Sequence, residues 1–193
     1  MKKVMVIALV VSLALFLGFS AQAQPSVGLE AHGLYGFAFS DDYAKLDNGW
    51  GGGGSLVLCL GELVKLDIGG DYLHTKAKLD NSSDVDLIPI TATLRVGPQI
   101  DPVYLYVGGG AGYSFNDLGL IFAGLEPYVL KDCFTYHGCA GCEVSFTSEK
   151  QIGLRVEGRY VWMKPEIRTK ATGATEDWKM DHFQARAGLI FYF

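Results

Sequence analysis

From Val27 to the C-terminus, apolar residues recur at every second position in one run after another, and charges keep to the opposite parity. A period of two is the signature of a β-strand whose two faces meet different surroundings, and it excludes a helical core. Val27, Leu29, Ala31, Gly33, Tyr35, Phe37 and Phe39 share one face, while Glu30 and His32 take the other. Val64, Leu66, Ile68, Gly70 and Tyr72 oppose Lys65, Asp67 and Asp71, and Ile88, Ile90, Ala92, Leu94 and Val96 oppose Thr91, Thr93 and Arg95. Val103 to Phe115 repeats the pattern. Ile152 to Trp162 repeats it against Arg155, Glu157 and Arg159, and Phe183 to Phe193 closes the series. With weaker segments at about 51–60 and 134–146, eight strands are expected.

Their connections alternate in length. Segments 41–50, 76–84, 117–131 and 164–177 are long and polar or irregular, whereas 61–62, 97–101 and 147–150 are tight. That rhythm is expected of an up-and-down barrel with both termini at one end. Ahead of it, Lys2 and Lys3, the apolar stretch Val4 to Gly18 and the triplet Ala21-Gln22-Ala23 have the three parts of a secretory signal peptide. The expected division is therefore a signal peptide at 1–23 and a barrel domain at 24–193. Downstream, no run reaches the ~18 uncharged apolar residues of a helical span, because Glu62, Lys65 and Asp67 interrupt Leu56 to Ile68. The formal net charge of −5 becomes more negative once Lys2 and Lys3 leave with the leader, so nucleic-acid binding is not expected.

Alternation fits a soluble barrel, apolar inside, as well as a membrane barrel, apolar outside. Three features favour the membrane. Aromatic residues of the apolar parity gather at the long-loop ends, among them Tyr35, Phe37, Tyr72, Tyr113, Phe115, Tyr136, Tyr160 and Trp162, as an interfacial girdle requires. The polar parity mixes glycine with opposite charges, and the chain stops on an aromatic strand. The expected fold is all-β, an eight-stranded antiparallel up-and-down transmembrane β-barrel.

Arg186-x-Gly188-x-x-Phe191-x-Phe193 resembles the C-terminal assembly signal of outer-membrane proteins, with Gly188, Phe191 and Phe193 as its fixed points. Leu87 to Thr91 through Pro102 to Tyr113, and His137 to Val144 through Glu157 to Tyr160, are similar to the small outer-membrane β-barrel family of OmpW-like and OmpA/OmpX-like proteins. The resemblance implies a Gram-negative cell outer membrane, assembly by that membrane's insertion machinery, and a porin-like or OmpW-like passage or binding of small hydrophobic molecules. Outer-membrane lipids and lipopolysaccharide are the expected surroundings, and a monomer the expected state.

On the inward parity, Lys65, Arg95, Arg155, Arg159 and Arg186 face Glu30, Asp67, Asp71, Glu143 and Glu157. Eight strands leave room for little beyond side chains, so these charges are expected to pair across the lumen and to block a wide aqueous pore. Leu118, Leu120, Ile121 and Phe122 make one long loop unusually apolar, a candidate way in for a hydrophobic ligand. If solutes use it, loss of Leu120 and Phe122 abolishes uptake. Otherwise the long loops, especially 41–50 and 164–177, would serve a structural or adhesive protein by display.

Other suggestive patterns carry less. Cys139 and Cys142 match C-x-x-C, yet on a strand they face opposite sides roughly 10 Å apart. Cys59 and Cys133 leave connectivity open, and small-residue packing is the expected role. Ser114 and His182 lie inward and His74 outward, with no serine-histidine-acid spacing, and the 51–54 glycines lack the lysine and helix of a phosphate loop. Neither an enzyme, a metal nor a cofactor is expected.

Overall fold

The computed structural model describes residues 27–38, 47–77, 83–119, 128–147, 151–169 and 173–193. Twelve strands run in chain order: β1 (Val27–Ala38), β2 (Gly49–Cys59), β3 (Val64–Ala77), β4 (Ser83–Val96), β5 (Gln99–Ile100), β6 (Val103–Gly119), β7 (Tyr128–Leu130), β8 (Cys133–Ser145), β9 (Ile152–Met163), β10 (Glu166–Thr169), β11 (Thr175–Asp177) and β12 (His182–Tyr192). Eight of them, β1, β2, β3, β4, β6, β8, β9 and β12, pair antiparallel in sequence order. β12 closes the ring against β1, from Gly28↔Tyr192 to Ala38↔His182. Closure leaves no long free edge, which is the condition for a sheet to stand in hydrocarbon.

Both described ends of the chain lie with the tight turns. Phe193 N–H donates to Val27 C=O (2.9 Å), Leu60 N–H to Val64 C=O (2.9 Å) and Phe146 N–H to Ile152 C=O (2.8 Å). By the rule for membrane barrels that end is periplasmic, and the long connections are extracellular.

The faces follow the parity of the sequence. Outward are Leu29, Leu94, Leu105, Val107, Val156, Leu189 and Phe191, all exposed, with Tyr35, Phe37, Tyr72, Tyr113, Phe134, Tyr136 and Trp162 toward the extracellular end. Inward are the charged residues, buried although the barrel is narrow. An apolar outer surface over a polar interior inverts the plan of a soluble barrel and fits lipid.

Two regions depart from the sequence reading. Within the long connections at 117–131 and 164–177, β7, β10 and β11 form a separate three-stranded sheet in the order β11-β10-β7, and β5 forms within the tight turn near 97–101. Strands of two to four residues are too short to display a period. Ile167 and Leu130, opposite one another in the β10–β7 ladder, are both buried and turn the small sheet's inner side toward the barrel mouth. Four strands also reach into segments expected to be loops: β2 begins at Gly49 within 41–50, β3 ends at Ala77 and β4 starts at Ser83 within 76–84, and β6 runs to Gly119 within 117–131.

Candidate functional site

The lumen is built in tiers. At the periplasmic end, Lys65 Nζ lies between two rings, 4.4 Å from the centroid of Tyr104 and 4.9 Å from that of Tyr192. It donates to Glu143 Oε1 (3.0 Å) and to the Tyr192 hydroxyl (2.8 Å), and Tyr192 donates to the same carboxylate oxygen (2.7 Å).

Above this knot Arg155 is the hub. Its Nη1 donates to Glu30 (2.6 Å) and Asp67 (2.7 Å), and its Nη2 to Glu143 (3.0 Å). Asp67 also holds Arg95, which reaches Glu157 through Nη2 (2.8 Å). Glu157 accepts from Arg159 (3.0 Å), Arg186 (3.3 Å) and the Tyr106 hydroxyl (3.0 Å). Asp71 pairs with Arg186 (2.7 Å) and accepts from His32 Nε2 (2.8 Å). All ten charged residues named from parity thus stand in one connected network that spans the barrel.

Isolated charges would not tolerate such burial. Each carboxylate here meets at least one guanidinium or ammonium, and five cations balance five anions, so the network removes the main electrostatic objection to a polar interior. Glycines make the space for it. A Cβ on Gly53 would lie 2.5 Å from Asp71 Oδ1 and 2.9 Å from His32 Nε2, and one on Gly188 would meet His32 Cβ at 2.5 Å.

The extracellular tier is different in kind. Leu34, Leu73, Val85, Leu87 and Met163 point inward and pack with Leu130, Ile167 and Met180 from the segments over the mouth; Cys133 and Trp178 flank them. Between the tiers is a cavity of only about 10 Å³, room for about one water, with Asp71, His137, Arg159 and Gln184 below it and Leu73 and Met163 above.

Parity placed the charges, His32 and His182 inward but overlooked Gln184, Tyr104, Tyr106 and Tyr192, which complete the layers. All of these are buried on the inward face, as is His137, which hydrogen-bonds with Thr93 (2.8 Å). The missed apolar tier was signalled too, since Leu34 shares parity with Glu30, and Val85 and Leu87 share it with Arg95. Ser114 donates to Asn116 (2.7 Å), and His182 Nδ1 faces the Met180 carbonyl (3.0 Å). The four cysteines are free thiols: Cys59, Cys133 and Cys139 lie on inward positions, Cys142 on an outward one. Of the C-terminal motif, Gly188 is inward beneath His32, while Phe191 and Phe193 project outward. Leu120, Ile121 and Phe122 lie outside the described residues. Leu118 has a described backbone, paired with Val85, but its side chain is outside them. The leader at 1–23 is likewise outside.

A closed eight-stranded barrel with a lipid-compatible exterior and an ion-paired interior defines a class: an integral β-barrel protein of the cell outer membrane. The profile of the outer membrane protein beta-barrel domain family matches residues 9–191, and the chain belongs to that family. Solved structures agree on the fold. Neisserial surface protein A is 16% identical, covering 89% of this chain and 100% of its own, at a TM-score of 0.65. OprG of Pseudomonas aeruginosa is 15% identical over 90% and 99%, also at 0.65, and outer membrane protein W of E. coli is 13% identical over 90% and 100%, at 0.62. No curated protein matches the chain.

Proposed function

We propose that this barrel receives small hydrophobic molecules at its extracellular end and conducts no ions. The observation that carries the reading is the change of the inner surface along the axis, from an ionic floor centred on Arg155 to an apolar tier of Leu34, Leu73, Val85, Leu87 and Met163. An interior that served only to fill the barrel has no need of two chemistries. An apolar layer facing the outside of the cell is suited to solutes that water holds poorly.

The tier is closed by its own side chains, so a guest must displace some of them. Met163 and Met180 are the adaptable members, because an unbranched thioether changes rotamer easily. The cover is slight: β7, β10 and β11 have three, four and three residues, and small peripheral units open at low free-energy cost. The apolar loop around Leu120 and Phe122 would bring solutes to that cover. Below, the ion pairs deny a straight aqueous path, so chemistry is left to other proteins; Ser114 and His182 engage Asn116 and Met180 instead of one another. Export through a cleaved leader and insertion by the outer-membrane machinery complete the proposal, with the barrel acting as a monomer.

The test is uptake of an apolar fluorophore, N-phenyl-1-naphthylamine, by cells whose outer membrane carries the protein. Native protein accelerates the fluorescence rise over cells lacking it. A Leu87→Gln/Met163→Gln variant that still inserts brings the rate down to that background. Undiminished uptake by the folded double variant overturns the reading.

A further inference from the structure

The cavity of about 10 Å³ between the tiers has an apolar side, with Leu73, Leu87 and Met163, and a polar side, where Arg159 and Gln184 stand opposite each other on β9 and β12. The direction of the Gln184 amide is set by its neighbour. His182 Nδ1 faces the Met180 carbonyl (3.0 Å), which can only accept, so the neutral ring carries its proton on Nδ1 and has a lone pair on Nε2. That lone pair accepts from Gln184 Nε2–H (2.9 Å), and the amide oxygen is turned away from the ring.

The Gln184 oxygen has no hydrogen-bond partner among the described residues, although the side chain is 2% exposed. Asp67, Arg95, Arg155 and Arg186 each hold a buried atom in the same condition, but they lie within the ion-pair network and none of them lines the cavity. An acceptor buried without a donor is costly, and here it stands beside a space that another group can enter.

Arg159 supplies the complement. Its Nε and Nη2 donate to Glu157 (3.1 and 3.0 Å), while Nη1 lies 3.8 Å from Asp71 Oδ2, beyond hydrogen-bond reach. The polar side of the cavity thus holds an acceptor in need of a donor and a donor with room for an acceptor, in a space the size of one water. A hydroxyl is the smallest organic group that meets both. A carboxylate cannot donate to Gln184 and would be a sixth anion against five buried cations, whereas an ammonium cannot accept from Arg159 and would be a sixth cation.

We propose that the barrel selects hydrophobic molecules that end in a hydroxyl, which donates to Gln184 Oε1 and accepts from Arg159 Nη1 while the chain lies among Leu73, Leu87 and Met163. The inference rests on the entry of apolar solutes into that tier and adds the polar end that orients them.

Nuclear magnetic resonance of the folded protein in detergent micelles tests it, with decan-1-ol, decyl methyl ether and decanoate as probes. The methyl signals of Met163 and Met180 report entry into the tier. The side-chain amide signal of Gln184, identified by its loss in Gln184→Met, reports the hydroxyl. Decan-1-ol is expected to shift all three, reaching half its effect at about a tenfold lower mole fraction in the micelle than the ether, the worth of one hydrogen bond, and to exceed decanoate as well. In Gln184→Met, scored where heat-dependent gel migration shows a closed barrel, the alcohol falls to the level of the ether at the Met163 methyl. An ether or decanoate that matches the alcohol on native protein overturns the proposal without any variant having to fold, as does a preference for the alcohol that survives in Gln184→Met. If the methyl signals move with every probe and the Gln184 signal with none, the hydroxyl selection fails while apolar entry stands; if no probe moves the methyl signals, apolar entry fails and the selection with it.

Discussion

Arg155 shows most plainly how single residues hold this molecule. It is almost wholly buried and contacts three carboxylates, so Arg155→Met leaves Glu30, Asp67 and Glu143 short of a cation in a place water scarcely reaches. Breaking one side of a buried ion pair costs about 3–5 kcal/mol. Urea unfolding of the refolded barrel should register a loss of that size. Tyr192→Phe is milder, since only the hydroxyl bonds to Glu143 and Lys65 are lost, at about 1.5–3 kcal/mol for hydrogen bonds to charged groups. A Tyr192→Phe loss equal to that of Arg155→Met would mean that the hub is misplaced. These charges were legible in the sequence because parity separates them so cleanly. Their partners Tyr106 and Tyr192 were less so: tyrosine suits a wet lumen and a lipid interface equally well, and only the register across strands decides.

Along a single strand, the account stands on alternation. In β9, Arg155 and Glu157 are inward and Val156 between them is outward and exposed. The same guanidinium that holds the structure together at 155 should therefore be harmful one residue later. Val156→Arg faces hydrocarbon and is expected to cost about 2–4 kcal/mol in lipid, by denaturant titration. A neutral result would invert the faces. In β2 the inward glycines are spacers, and Gly53→Ala drives a methyl group against Asp71 and His32. Overpacking of this kind costs about 1–3 kcal/mol, which the same titration reads. The eight long strands could be read from the sequence because each repeats its period several times. β7, β10 and β11 could not, because a strand of three or four residues contains at most two repeats, and its buried side is set by what it covers.

For the whole molecule, the arrangement of tiers matters more than any one contact. Charge below and apolar packing above divide a lumen that is already narrow, and the division follows from which inward residues fall at which height: Leu34 above Glu30 on β1, Leu73 above Asp71 and Lys65 on β3, Leu87 above Arg95 on β4. The sequence contained that order. What hid it was the habit of treating one parity as one environment, when a membrane barrel's interior passes from periplasm to cell surface.

The divided lumen is tested most directly by ion conductance of the purified native protein in planar lipid bilayers. The barrel should insert, as shown by heat-dependent migration of the same preparation, and yet give no stable current steps in potassium chloride, because the bonds radiating from Arg155 and Glu157 close the path. Regular, long-lived steps from native protein would show an open aqueous route through that network and would contradict the account.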